Sequence, residues 1–162
     1  MRRIIALGLV LLAAGCAGTG DGSGLVPGQS TSADVEKAMG PSAEKRAGPA
    51  GETVLWFPRM PYGRVSYAAR IGKDDKLIAV EQRLTRENLA MLKPGASREN
   101  DVRDLLGPPN RIDPFPRLQR DAWSYQAQGM NPQLIVVQFS KDGVLREAFM
   151  IDDPEAMNRS NM

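Results

Sequence analysis

Cys16 is the only cysteine of the 162 residues, and the sequence has no histidine. Histidine is the commonest proton shuttle and metal ligand near neutral pH, so its absence removes the usual form of both chemistries. A lone cysteine excludes a disulfide within one chain and a cysteine-based metal site. Two adjacent carboxylate pairs remain, Asp74-Asp75 and Asp152-Asp153. The first falls in a turn signal and the second heads a polar segment, so neither pair converges on a substrate as acid–base catalysis requires. Ser140-Lys141 also sits in a turn signal, without the base a nucleophile needs. No catalytic, cofactor-binding or metal-binding residue is expected. Arg111, Arg117 and Arg120 flank Phe115 near the proline-rich stretch 108–116. Guanidinium forks match phosphate oxygens. Phe115, Arg117 and Arg120 are therefore candidate contacts for a partner or for lipid, against the plainer reading of a solvated loop.

The chemistry open to Cys16 is lipid attachment. Met1-Arg2-Arg3 is a short positive head, and residues 4–14 form an apolar run without charge. Ala13-Ala14-Gly15 supplies the small residues of a cleavage site immediately before Cys16. This is the layout of a secretory signal. The apolar run is too short to cross a bilayer, which takes about 20 residues. The segment resembles a lipobox, with Leu12 one place earlier than the usual leucine. Residues 1–15 are expected to be removed and Cys16 to carry the anchor. Ala17 rather than aspartate follows, which points to the outer membrane. Residues 16–24 carry glycine at 18, 20, 22 and 24 and read as a flexible tether.

Charge excludes one class of partner. Cleavage takes Arg2 and Arg3 from 21 basic residues and leaves 19 against 19 acidic ones. A balanced chain has no electrostatic footprint for nucleic acid.

The elements that would position any site are written twice. Leu25-Val26-Pro27-Gly28-Gln29-Ser30, Asp34-Val35 and Met39-Gly40-Pro41 recur as Leu92-Lys93-Pro94-Gly95-Ala96-Ser97, Asp101-Val102 and Leu106-Gly107-Pro108, at an offset of 67. Trp56 and Trp123, the only tryptophans, share that offset, and Lys73-Asp74 matches Lys141-Asp142 one residue later. This predicts that the tryptophans occupy the same place in two units and that the insertion lies beyond them. Ser30 and Ser97 are the expected N-caps. Val102, Leu105 and Leu106 make one helical stripe, which Val35, Ala38 and Met39 repeat more weakly. Gly107-Pro108 and Gly40-Pro41 end the helices. Strands are expected at 52–57, 65–71 and 76–84, then at 121–127, 134–139 and 144–151, with a connecting helix over 85–91 and a hairpin turn at Lys141-Asp142-Gly143. The class is α+β, with two tandem units over 25–85 and 86–151, each a helix packed on a three-stranded antiparallel sheet. Residues 152–162 read as a polar, disordered tail. Each unit alone buries little core, so the two are expected to pack together. Both tryptophans read as core residues rather than as partner anchors.

The run Leu92-x-Pro94-Gly95-x-Ser97, Val102, Leu106-Gly107-Pro108-Pro109, Phe115, Trp123-x-Tyr125, Val137-x-Phe139 and Asp142-Gly143 resembles the BamE family, also called SmpA/OmlA. The first unit resembles it more faintly, with Trp56-Phe57-Pro58 in place of Trp-x-Tyr. The resemblance implies a small outer-membrane lipoprotein, anchored through Cys16, facing the periplasm and supporting the β-barrel assembly machinery. Two copies in one chain depart from that pattern. Three roles remain at this point. The first is a non-catalytic binding or scaffold module, within or beside the barrel-assembly complex. The second is an inhibitor or sensor lipoprotein with a single protein target. The third, an enzyme, lacks a nucleophile–base constellation.

Overall fold

The computed structural model describes residues 20–60 and 63–159. The expected signal segment, Cys16 and the start of the tether lie outside the described residues. The chain mixes helices with two four-stranded antiparallel sheets. Helix α1, Ser32–Met39, precedes strands β1 (Glu44–Ala47), β2 (Thr53–Pro58), β3 (Ser66–Ile71) and β4 (Leu77–Gln82). A short helix α2, Arg86–Met91, connects them to α3, Glu99–Leu106. Strands β5 (Arg111–Phe115), β6 (Arg120–Ala127), β7 (Gln133–Ser140) and β8 (Leu145–Asp152) follow, and α4, Pro154–Arg159, comes last. Neighbours in sequence are neighbours in each sheet.

Three expectations about the elements are corrected. Each sheet has four strands rather than three. The additional β1 and β5 are edge strands, one rich in charge and one carrying Pro114. Edges tolerate both features, and neither shows the alternation that marks a half-buried strand. Second, Thr31, not Ser30, caps α1: its Oγ1 accepts the Asp34 N–H at 3.2 Å, and Asp34 accepts the Thr31 N–H at 2.9 Å. On α3 Asp101 likewise accepts the Arg98 N–H at 2.7 Å. The serine hydroxyls close the preceding turns instead, accepting Val26 N–H at 2.9 Å and Lys93 N–H at 3.0 Å. Third, the polar segment after 151 is structured through 159: β8 runs to Asp152, Asp153 is buried, and α4 follows.

The two halves repeat at the level of single hydrogen bonds. Gly28 N–H donates to Leu77 O, and Gly95 N–H to Leu145 O, both at 2.8 Å. Ala43 N–H donates to Trp56 O, and Asn110 N–H to Ser124 O, again at 2.8 Å. The offset is therefore 67 through the helix and first strand and 68 from the second strand onward. The inserted residue lies before β6, not beyond the tryptophans. The counterpart of Trp123 is Leu55, and the counterpart of Trp56 is Ser124. A one-residue slip turns a strand's side chains to the other face. Both tryptophans are buried, but they do not occupy the same place.

Leu55 and Phe57 pack with Val35, Met39, Ala69, Ile71 and Leu77 beneath α1. Trp123, Tyr125, Ile135, Val137, Phe139 and Leu145 pack with Val102 and Leu106 beneath α3, and the Trp123 and Phe139 rings lie 4.8 Å apart. Trp56 points from the opposite face of its sheet, is 1% exposed, and seats its ring against Gly107 at the end of α3. A Cβ on Gly107 would lie 2.6 Å from Trp56 Cζ3.

Gly40 and Gly107 provide an internal control, because both end a helix at positive φ, +83° and +85°, and only Gly107 faces an indole. Gly40→Ala should cost about 1 kcal/mol from backbone strain alone. Gly107→Ala should cost about 1–3 kcal/mol more through overpacking. Urea titration of both variants measures the difference, and equal losses would remove Trp56 from the contact.

Candidate functional site

Alternation along β2 and β3 places Val54, Trp56, Ala68 and Arg70 on the sheet face away from α1. Glu44 and Arg46 of β1 stand beside Trp56 and Val54 on that face. The second unit closes over it. Arg103 of α3 grips Glu44 as a fork, with Nε at 3.1 Å from Oε1 and Nη2 at 2.9 Å from Oε2. Arg46 Nε meets Asp104 at 2.6 Å, and its Nη1 returns to Glu44 at 3.2 Å. Arg83 Nε donates to the Leu105 carbonyl at 3.0 Å. The Arg103 guanidinium also lies 5.9 Å from the Trp123 ring, so one side chain joins the ion pairs to the second core.

A second clasp closes the other side. Arg64, in the β2–β3 turn, donates to the carbonyls of Gln133 and Ala127 and meets the Asp153 carboxylate at 2.6 Å. Arg64 and two backbone amides hold the Asp153 carboxyl below its ordinary value, although burial, the largest single influence, pushes the other way. Met60 and Leu84 of the first unit pack into the second core. The units therefore pack on each other, as their small separate cores require.

Between the clasps lies a cleft of about 470 Å³. Its lining includes Val54, Trp56, Ala68 and Arg70 from the first sheet, and Met91 and Leu105 from α2 and α3. Two buried donors in it, Trp56 Nε1 and Arg70 Nε, have no hydrogen-bond partner among the described residues. Arg70 makes no ion pair among the described residues. Leaving a buried donor unmade costs about 1–3 kcal/mol, so the cleft favours a ligand or water that brings an acceptor. Arg83 is engaged by Glu81, and Asp104 by Arg46. Glu52 and Asp101 also line the cleft, so its lining carries more carboxylates than guanidiniums, and Arg70 is the lining cation without an ion pair among the described residues. The arrangement offers recognition: a preformed, partly apolar slot with one indole N–H and one guanidinium free of ion pairs among the described residues, bordered by carboxylates.

The sequence-predicted contacts lie elsewhere. Phe115 ends β5 and is 46% exposed, so it belongs to an edge strand rather than a loop. Arg117 lies in the one-turn 3-10 segment Pro116–Leu118 and is exposed. Arg120 opens β6 and is engaged by Gln138 at 2.8 Å and Glu147 at 3.1 Å. Phe115 stands opposite Arg120 across the strands. None of the three reaches the cleft. Among the described residues no cluster of acidic, cysteine or histidine side chains could hold a metal ion, and no helix is long and apolar enough to cross a membrane. Sequence reasoning missed Arg70, whose signal was a lone charge within the apolar run Ser66–Ile71.

No family model matches the chain, and no curated protein matches it. One similar solved structure is a DUF4309 family protein, YjgB, from Bacillus subtilis. It is 18% identical, with 81% of this chain and 84% of that chain covered, at a TM-score of 0.33. A likeness this loose carries no argument about either fold or role.

The ion pairs between the units make stability depend on acidity. The Arg103 fork holds the Glu44 carboxyl below its ordinary 4.5, against the opposing effect of burial. A carboxylate whose folded pKa is lowered stabilises the fold above its unfolded pKa, and that contribution is lost as pH falls through the folded value. Glu44→Gln should therefore cost on the order of 1 kcal/mol at neutral pH and flatten the stability loss below about pH 4.5. Urea midpoints of both chains at neutral pH and near pH 3 check this. Identical acid losses would mean that Glu44 is not part of the clasp.

Proposed function

We propose that this chain is an outer-membrane lipoprotein of two tandem BamE-like units, anchored through Cys16 and facing the periplasm. It acts there as a non-catalytic binding or scaffold module for envelope proteins, in support of β-barrel assembly. The observation that carries the binding role is the cleft between the units, where the Trp56 N–H and Arg70 Nε lack an acceptor among the described residues in a body already clamped on both sides. Preorganisation of this kind lowers the ordering cost of binding. The signal-like start and the cysteine that follows Gly15 support the anchor. Several lipid chains give stable attachment where one gives only marginal binding. The family-like residues occupy structural positions: Ser97 closes a turn, Gly107 ends a helix, and Trp123 and Tyr125 pack the core.

A rigid, preformed slot also suits a second reading, an inhibitor or sensor lipoprotein that holds one protein target.

Membrane fractionation and affinity capture test both readings. The wild-type chain should sediment with the outer membrane, and Cys16→Ser should be released. From solubilised envelopes the wild type should retain barrel-assembly proteins, and Arg70→Glu should lose at least tenfold of that capture. A single soluble target in their place favours the inhibitor or sensor. Capture unchanged by Arg70→Glu would contradict the assignment of the cleft.

A further inference from the structure

The contact that joins the two units has an unfilled counterpart at the far end of the molecule. In the filled one, opposite charges two apart on edge strand β1, Glu44 and Arg46, meet opposite charges on adjacent positions of α3, Arg103 and Asp104. The hydrogen-bond register makes Arg111 and Asp113 of β5 the counterparts of Glu44 and Arg46. The counterparts of Arg103 and Asp104 on α1 are Glu36 and Lys37. Every sign is reversed, on the strand and on the helix alike. Arg111 and Asp113 already pair within their strand at 2.6 Å, as Arg46 and Glu44 do at 3.2 Å.

The surfaces around these charges are only partly covered. Ala68 is buried under the second unit, whereas its counterpart Val136 is half-buried, and Ile151 on the same face is 42% exposed. Leu134, Val136, Phe149 and Ile151 share that face of the second sheet, since Leu134 pairs with Ile151 and Val136 with Phe149. Helix α4 covers part of that face: Pro154 and Glu155 line one pocket with Arg111, Ser124, Gln126 and Leu134, so an incoming helix must displace α4 there. At the other end of the molecule, a Cβ built on Gly40 would meet nothing within 4 Å among the described residues, where one on Gly107 would meet Trp56. Lys37 is exposed and makes no ion pair among the described residues. Glu36 bonds Lys45 and Ser42, and would be shared with an incoming arginine as Glu44 is shared between Arg46 and Arg103.

We infer that the outer face of the second sheet binds helix α1 of a second copy of this chain, with Arg111 meeting Glu36 and Asp113 meeting Lys37. The copies join head to tail by the same docking that joins the two units. Such a heterologous contact leaves one free end on each side and extends into a row. It is weaker than the internal contact, because Ser124 stands where Trp56 fills the joint. Anchoring many copies to one membrane surface offsets that weakness by raising their local concentration. Arg111 also lies 3.9 Å from Glu155, which α1 of the incoming copy must outcompete.

Sedimentation equilibrium of the full chain carrying Cys16→Ser tests this, independently of what the cleft binds. Association should rise with concentration and be complete or partial by about 1 mM. Glu36→Arg with Lys37→Glu in one chain, and Arg111→Glu with Asp113→Arg in another, should each weaken it at least tenfold. An equimolar mixture of the two chains should restore it, because the reversed helix then faces the reversed strand. If a charge variant fails to fold, Lys37→Cys with Asp113→Cys in the Cys16→Ser chain should form an intermolecular disulfide under mild oxidation, and neither single cysteine should do so at the same rate. A strictly monomeric protein at about 1 mM, or association indifferent to both charge reversals, overturns the inference.

Discussion

The structure depends on an indole seated against a glycine. Trp56 leaves its own sheet on the side away from its own helix and its ring occupies the space where any side chain at position 107 would stand. That contact explains why a unit of one helix and four short strands is stable here. The first core, built on Leu55, Phe57, Ala69 and Leu77, is small. The largest side chain of its central strand contributes nothing to it and is buried only by the neighbour. Without the second unit, the first would expose an indole and the apolar stems around it. The ion pairs of Arg103 and Arg46, and the reach of Arg64 to Asp153, fix the angle at which the two units meet.

The same contact creates the cleft. An indole held by packing cannot turn to find an acceptor, so its N–H has no partner among the described residues, in the same cleft as Arg70. Buried donors without partners are costly in a fold and useful in a recognition surface. The joint that makes the two units one body is in this way also the wall of the candidate site. Binding at the cleft and the mutual orientation of the units should be coupled, because a ligand touching Trp56 and Leu105 touches both units at once.

Much of this was legible in the residues. The recurring helix ends at Gly40 and Gly107, six of the eight strands and the connecting helix follow from period, caps and turn residues. Strands β1 and β5 were not legible, because Glu44–Ala47 is mostly charged and Arg111–Phe115 is interrupted by Pro114, so neither carries an apolar alternation. The roles of the tryptophans were misread for a physical reason. Equal spacing in sequence suggests equal placement, but a single inserted residue before β6 turns the partner of Trp123 into Leu55. Pair register within each sheet decides this, and register is set by long-range pairing. The cleft was illegible for a similar reason. Arg70 and Met91 lie in different elements, and only the docking of the units brings them to one space.

If the Trp56 joint makes the units one body, neither sheet can open alone. Native-state hydrogen exchange reads this without altering a residue. The slowest amides of β3 and β7, such as those of Ala69 and Val137, should exchange through the same global unfolding, with opening free energies equal within about 0.5 kcal/mol and the same dependence on denaturant. A first sheet that exchanges through its own opening, at lower free energy and smaller denaturant dependence while the second sheet stays protected, would contradict the account.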